Sequence, residues 1–260
     1  MKKNTELFSK LTRSFWIRNI YFMMLWTYKY PSFIRDYIGF RRSLKTNSDN
    51  RFSLTLKGLY PSLFDKTTHT NFDPHYTYHP AWAARIISKN NPSKHIDVSS
   101  ILHFSTIVSA FVPVEFYDYR PADVKLSNLA CKNGDLLNLP FKDNSVESLS
   151  CMHTIEHIGL GRYGDPIDAR GDIKAAKELS RVLQPKGTFI FVAPIGRSRI
   201  EYNSHRIYSY EQVMDLFKDL KLVEFSMVPD DYHKTGLIVN ADKDIVKEQV
   251  WACGCFLFTK

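Results

Sequence analysis

Cysteine is scarce in this chain. The four cysteines among 260 residues, Cys131, Cys151, Cys253 and Cys255, are too few and too irregularly spaced for a disulfide framework. Cys253-Gly254-Cys255 is a lone C-x-C pair without a second pair at zinc-ligand spacing, so no metal site is expected. Free thiols in a reducing, cytoplasmic compartment are the expectation instead. Long apolar runs are also lacking. Residues 20–26 form an apolar run bracketed by Arg18, Asn19 and Lys29. A membrane span needs about 20 apolar residues. No small-residue cleavage site follows the run, so a secretory leader is not expected either. The absence of G-K-[ST] excludes a phosphate-binding P-loop. Internal repeats and low-complexity tracts are missing too.

Acidic residues are sparse at the start. Residues 1–45 hold ten Lys or Arg against two acids, which accounts for the whole formal charge of +8. This segment reads as one or two helices, with Leu7, Leu11, Phe15, Ile20, Met23, Met24 and Trp26 loosely on one face. Lys10, Arg13, Arg18 and Lys29 interleave with them. Such an arm suits peripheral contact with the inner face of a membrane. Packing on the protein's own core or on a second copy fits equally. Residues 46–80 read as a polar connection, and 81–260 as the main domain. The basic charge lies outside that domain, so nucleic acid is not the expected partner.

What the sequence has in quantity is alternation. Hydrophobic residues make up 44% of the chain, ample for one sizeable core. Strands are predicted at 94–98, 114–117, 129–132, 146–152, 188–193, 222–228 and 251–259, with helices at 80–90, 101–111, 173–183 and 209–218. A turn is predicted at 184–187. The pattern predicts an α/β, Rossmann-like, doubly wound and mostly parallel sheet with helices on both faces, plus the N-terminal helical arm. Asp97, Asp118, Asp135 and Glu156 recur through this alternation near successive strand ends. Carboxylates so placed converge on the sheet edge where open α/β folds bind ligands.

Three segments appear in order. They are Asn133-Gly134-Asp135-Leu136-Leu137-Asn138-Leu139-Pro140-Phe141, Met152-His153-Thr154-Ile155-Glu156-His157, and Glu178-Leu179-Ser180-Arg181-Val182-Leu183-Gln184-Pro185-Lys186-Gly187. Together they resemble the motifs of class I S-adenosylmethionine-dependent methyltransferases, over residues 94–230. The surroundings of Asp97-Val98-Ser99-Ser100 and Tyr117-Asp118-Tyr119-Arg120-Pro121, with Ser204-His205-Arg206-Ile207-Tyr208, are similar to an uncharacterised methyltransferase-like family found in bacterial surface-polysaccharide contexts. The resemblance implies S-adenosylmethionine as cofactor and a small-molecule or glycan hydroxyl as acceptor.

By that resemblance Asp118 would bind the ribose hydroxyls, with Tyr119 beside it. Asp135 and Leu136 would hold adenine. Asp97 would orient the loop near the methionine moiety, and Ser99, Ser100 and His153 would belong to the same part of the cofactor site. Glu156 and His157 would line the acceptor edge, with His157 as a general base. His153-x-x-Glu156-His157 also fits a zinc-peptidase pattern, which requires a helix that the strand-to-loop setting does not provide. His103, Arg162, His205 and Arg206 are the candidate acceptor contacts. The loop at 97–103 departs from the family pattern because it has no glycine, and serine disfavours positive φ. A second reading therefore stands beside the enzyme: a non-catalytic protein of this fold serving as a partner-binding or assembly factor.

Overall fold

The computed structural model describes residues 15–260. The chain divides into two compact units, Met1–Asn71 and Phe72–Lys260. In the first, helix α1 (Phe15–Thr46) runs for 32 residues in one piece, with Pro31 inside it. Its apolar side chains are spread around the axis rather than gathered in one stripe, and Met23, Met24 and Tyr28 are exposed. Trp26 stacks on Tyr30, and Lys66 Nζ reaches Asp36 Oδ2 at 2.6 Å. No described helix is long and apolar enough to cross a membrane. Leu7, Lys10, Leu11 and Arg13 lie outside the described residues.

The second unit opens with α2 (Pro74–Asn90), earlier than the expected start at residue 80. The reason is local. Asp73 caps the helix by accepting from Tyr76 N at 3.0 Å, and Pro74 sits at the first helical position, where a missing N–H costs nothing. His79 is therefore helical despite preceding Pro80, against expectation. Burial of Trp82, Ala83 and Ile87 on the same helix offsets the lost hydrogen bond. Asn91 ends the helix in a left-handed conformation, φ 44°.

Then follow β1 (His95–Val98), α3 (Leu102–Val108), β2 (Val114–Asp118), β3 (Leu129–Asn133), β4 (Val146–Met152), α4 (Gly171–Val182) and β5 (Leu183–Ile195). A hairpin comes next, β6 (Arg199–Glu201) and β7 (His205–Ile207). After it come α5 (Tyr210–Leu216), β8 (Lys221–Val228), α6 (Tyr232–Thr235) and β9 (Ala252–Thr259). The seven-stranded sheet has the order β3-β2-β1-β4-β5-β9-β8. β9 pairs antiparallel to both its neighbours; the pairs among β1 to β5 are parallel.

Two details differ from the sequence reading. The expected turn at 184–187 is an irregularity inside β5, where Lys186 has φ 64° and the register against β4 shifts. His205 and Arg206, outside every predicted strand and helix, lie on β7.

Alternation along the central strands builds a core on each face of the sheet. From β5, Phe189, Phe191 and Ala193 join Ala175, Ala176 and Leu179 of α4. Ile190 and Val192 face the other way, with Trp82, Ala83 and Ile87 of α2 and Phe104 and Val108 of α3. Cys253 and Cys255 of β9 also point to this α2 side. That placement brings β9 side chains under the start of α2.

Candidate functional site

The parallel strands end at two cavities of about 800 Å³ and about 290 Å³. The smaller is bounded by the ends of β2 and β3: Asp118, Tyr119, Gly134, Asp135 and Leu136. The larger is bounded by His75 and Tyr76 of α2, Glu156, Arg162, His205 and Trp251. Ser99, His153, His157 and Tyr163 line both, so the two spaces share one wall.

On the smaller side, Asp118 ends β2. Its Oδ1 accepts from Arg120 N at 2.8 Å, which fixes the carboxylate by an Asx-type turn. The exposed Asp135 makes the corresponding bond to Leu137 N at 2.8 Å, and Leu136 turns inward as the buried apolar neighbour. Gly134 is required between them, because a Cβ there would meet Tyr117 Cδ1 at 2.9 Å.

The glycine-free loop takes up the conformation that glycine usually supplies. Ser99 has φ 54°. Its N–H and hydroxyl both donate to the Tyr117 carbonyl, at 2.8 and 3.2 Å, and its own carbonyl accepts from Thr154 Oγ1 at 2.9 Å. Ser100 Oγ accepts from Met152 N at 3.1 Å. A strained serine is thus held by bonds from β2 and β4 together.

On the larger side, His153 sits just past β4 with φ 54°. Its Nδ1 lies 3.0 Å from Oε1 of the buried Glu156. His157 Nδ1 is 2.6 Å from the Ser204 carbonyl. That bond requires the proton on Nδ1 and leaves Nε2, 3.9 Å from Glu156 Oε1, as a lone pair. Burial holds the His157 imidazole below its ordinary pKa of 6.5, so the neutral, basic form prevails near pH 7. Arg162 donates to the Ser204 carbonyl at 3.1 Å. His205 stacks flat on Trp251, centroids 5.5 Å apart. Neither His153 nor His157 belongs to an α-helix, so the zinc-peptidase geometry is not formed; Glu156 and His157 lie in a 3-10 turn, Ile155–His157.

Three expected site residues are placed elsewhere. Asp97 is fully buried beneath the loop and lines neither cavity; Ser150 Oγ donates to it at 2.6 Å, and Ser105 and Ser100 also bond it. Burial raises its pKa to about 6, against those hydroxyl bonds. His103 is on the exposed face of α3, away from both cavities. Arg206 is buried behind the site. It donates to the carbonyls of Ile158 at 2.7 Å and Glu156 at 3.3 Å and pairs with Asp172 at 3.6 Å. A strand position on β7 turned it inward, where it clamps the turn that carries Glu156 and His157.

The structure also adds residues that the sequence reading passed over. Tyr163 of the 159–171 loop closes the shared wall, with its ring 5.6 Å from that of His157. Trp251 is held by Asp230, whose carboxylate accepts from Val250 N at 2.6 Å and Trp251 N at 3.0 Å. His75, His153 and Cys253 are buried together. Burial lowers the His75 pKa to about 4 and raises that of the Cys253 thiol.

This architecture is the class I methyltransferase fold. The chain is similar in structure to the N-methyltransferase NodS of Bradyrhizobium japonicum, solved with S-adenosylhomocysteine (TM-score 0.50, 13% identity, 73% of this chain and 89% of that one). It is likewise similar to a Burkholderia thailandensis 1,6-didemethyltoxoflavin-N1-methyltransferase, solved with its substrate and S-adenosylhomocysteine (TM-score 0.50, 11% identity, 70% and 78%). A third similar structure is the MccD protein (TM-score 0.51, 14% identity, 74% and 100%). At these identities the likeness establishes the fold. A family described as "Caenorhabditis protein of unknown function, DUF268" matches residues 135–237. No curated protein sequence matches the chain.

Proposed function

We propose that this protein is an S-adenosylmethionine-dependent methyltransferase acting on a hydroxyl of a small molecule or glycan. The observation that carries the reading is the shared wall: two cavities of different character meet at Ser99, His153, His157 and Tyr163. The smaller has a strand-end carboxylate, Asp118, beside an apolar floor at Leu136, which suits a ribose and an adenine. Bound there, S-adenosylmethionine supplies an electrophilic methyl group. The larger cavity has a size ordinary for small-molecule sites. Its aromatic walls, Tyr76, Tyr163 and Trp251, offer flat faces to a sugar or ring, and Arg162 and His205 offer polar contacts.

Within this reading Asp118 positions the nucleoside. The left-handed Ser99 brings loop backbone close to the shared wall. His157 Nε2 takes the acceptor's hydroxyl proton, with Nδ1–H anchored on Ser204. Glu156 stands 3.9 Å from that nitrogen and stabilises the imidazolium that forms. The remaining catalytic contribution is proximity of the two bound molecules. The basic segment 1–45 is assigned to contact with an anionic membrane surface, for which co-sedimentation with anionic liposomes is the measurement.

The test is calorimetric titration of the folded protein with S-adenosylmethionine and S-adenosylhomocysteine. Saturable one-to-one binding is expected. Failure to bind either ligand overturns the enzyme and leaves the non-catalytic reading.

A further inference from the structure

We infer that His75, His153 and Cys253 form a binding site for a divalent cation of the Zn²⁺ type, open on one side to the larger cavity. The inference stands apart from methyl transfer and does not rest on it.

The three residues come from distant parts of the chain: the first turn of α2, the end of β4 and the antiparallel β9. All are buried, and one ligand atom from each lies within 4.8 Å of the others. Two imidazoles and a thiolate are the donor set that a borderline-soft divalent cation prefers. With Zn–S near 2.3 Å and Zn–N near 2.05 Å, tetrahedral bonding sets sulfur and nitrogen about 3.6 Å apart. Cys253 Sγ and His153 Nε2 are 3.5 Å apart. The ligand atom of His75 lies within 4.8 Å of both and completes the set.

The surroundings orient these donors. His153 Nδ1–H points to the Glu156 carboxylate at 3.0 Å, which directs the Nε2 lone pair at Cys253. A carboxylate behind a ligating histidine is the usual support of a zinc ligand. The backbone of Trp251 hydrogen-bonds the His75 ring. His79, one helical turn on, lies 5.0 Å from His153 ring to ring, and its buried Nε2 has no partner among the described residues. Nε2 of His153 now faces the thiol of Cys253, so the cation takes the place of the thiol proton. On binding, Cys253 S–H releases its proton to solvent, the sulfur lone pair bonds the metal, and two neutral imidazoles add their own pairs. No redox change is involved. His75 and His153 line the larger cavity, so the fourth position faces it and takes water or a ligand oxygen or sulfur.

The experiment uses the full chain, reduced and stripped with a chelator, then titrated with Co²⁺ and Zn²⁺. Expected are one equivalent bound, a thiolate-to-cobalt charge-transfer band, and displacement of cobalt by zinc. Cys253→Ser abolishes the band, and His75→Ala, at the cavity rim, weakens binding while the circular dichroism stays native. Cys255→Ser keeps both the band and the affinity. Glu156→Gln lowers zinc affinity by about 10–100-fold. No metal uptake by the folded wild type overturns the site. So does binding without a thiolate band, or an affinity unchanged in both His75→Ala and Cys253→Ser. S-adenosylhomocysteine binding measured on the same samples reports separately on the methyltransferase reading.

Discussion

Replacing Asp97 by Asn should make the protein more stable at neutral pH and should flatten one part of its pH dependence. The carboxyl is fully buried, and its pKa is raised from 3.8 to about 6, mainly by desolvation. A raised pKa means that the folded state favours the neutral acid. Stability from this group is complete below pH 3.8 and is lost as pH rises through about 6. A difference of about two pH units corresponds to roughly 3 kcal/mol at neutral pH. Asn keeps the shape. Its oxygen can still accept from Ser150 Oγ, and its amide can donate to Ser105 once that hydroxyl rotates. Buried His95 and His75, with pKa values lowered to about 3 and about 4, act in the opposite sense. Their contribution is present above 6.5 and lost as pH falls through those values, equally in both proteins. The difference between wild type and Asp97→Asn therefore isolates the carboxyl. Denaturant midpoints from pH 4 to 8 should show the variant's advantage growing by about 3 kcal/mol, or about 6–12 °C in Tm. Parallel curves over that range would refute the argument.

Asp118→Ala removes one charge-assisted contact and should weaken S-adenosylhomocysteine by about 10–100-fold in calorimetry, with Tm nearly unchanged; equal affinity removes Asp118 from the cofactor site. His157→Gln should lower kcat by about 10²–10⁴ with little change in acceptor KM. The wild-type rate should fall on the acid side at a pH below 6.5, because burial lowers the His157 pKa and protonation removes the base; an acid limb above 6.5 contradicts the assignment. Arg206→Met leaves the buried Asp172 without its cation and should cost about 3–5 kcal/mol in urea unfolding; a loss under 1 kcal/mol makes the clamp dispensable.

Strand β4 was legible to the residue, because Val146, Leu149, Cys151 and Met152 form a short apolar-rich segment bounded by polar turns. Parallel strand ends alone placed Asp118, Asp135 and Glu156 near the sheet edge, and His153 and His157 entered only through the family resemblance. Asp97 and Arg206 line neither cavity: sequence places a charge near an edge without saying which way the side chain turns. Here Asp97 turns to Ser105 of α3 and Ser150 of β4, and Arg206 to the carbonyls of Glu156 and Ile158. The meeting of His75 with Cys253 was hidden for a topological reason. It depends on β9 being inserted between β5 and β8, a fact of strand order that no local pattern carries. The start of α2 lies ahead of the position Pro80 suggests, because the Asp73 cap and the apolar side chains that follow outweigh the proline's breaking effect.

The common wall has a consequence for redesign. Tyr163 is a removable panel between two rooms: it comes from a loop, is partly exposed, and lines both cavities. Tyr163→Ala should merge them and admit cofactor analogues whose transferable group is bulkier than methyl. The same opening would admit water to the reaction zone, so alkyl range and coupling efficiency should trade against each other in any variant selected at this position.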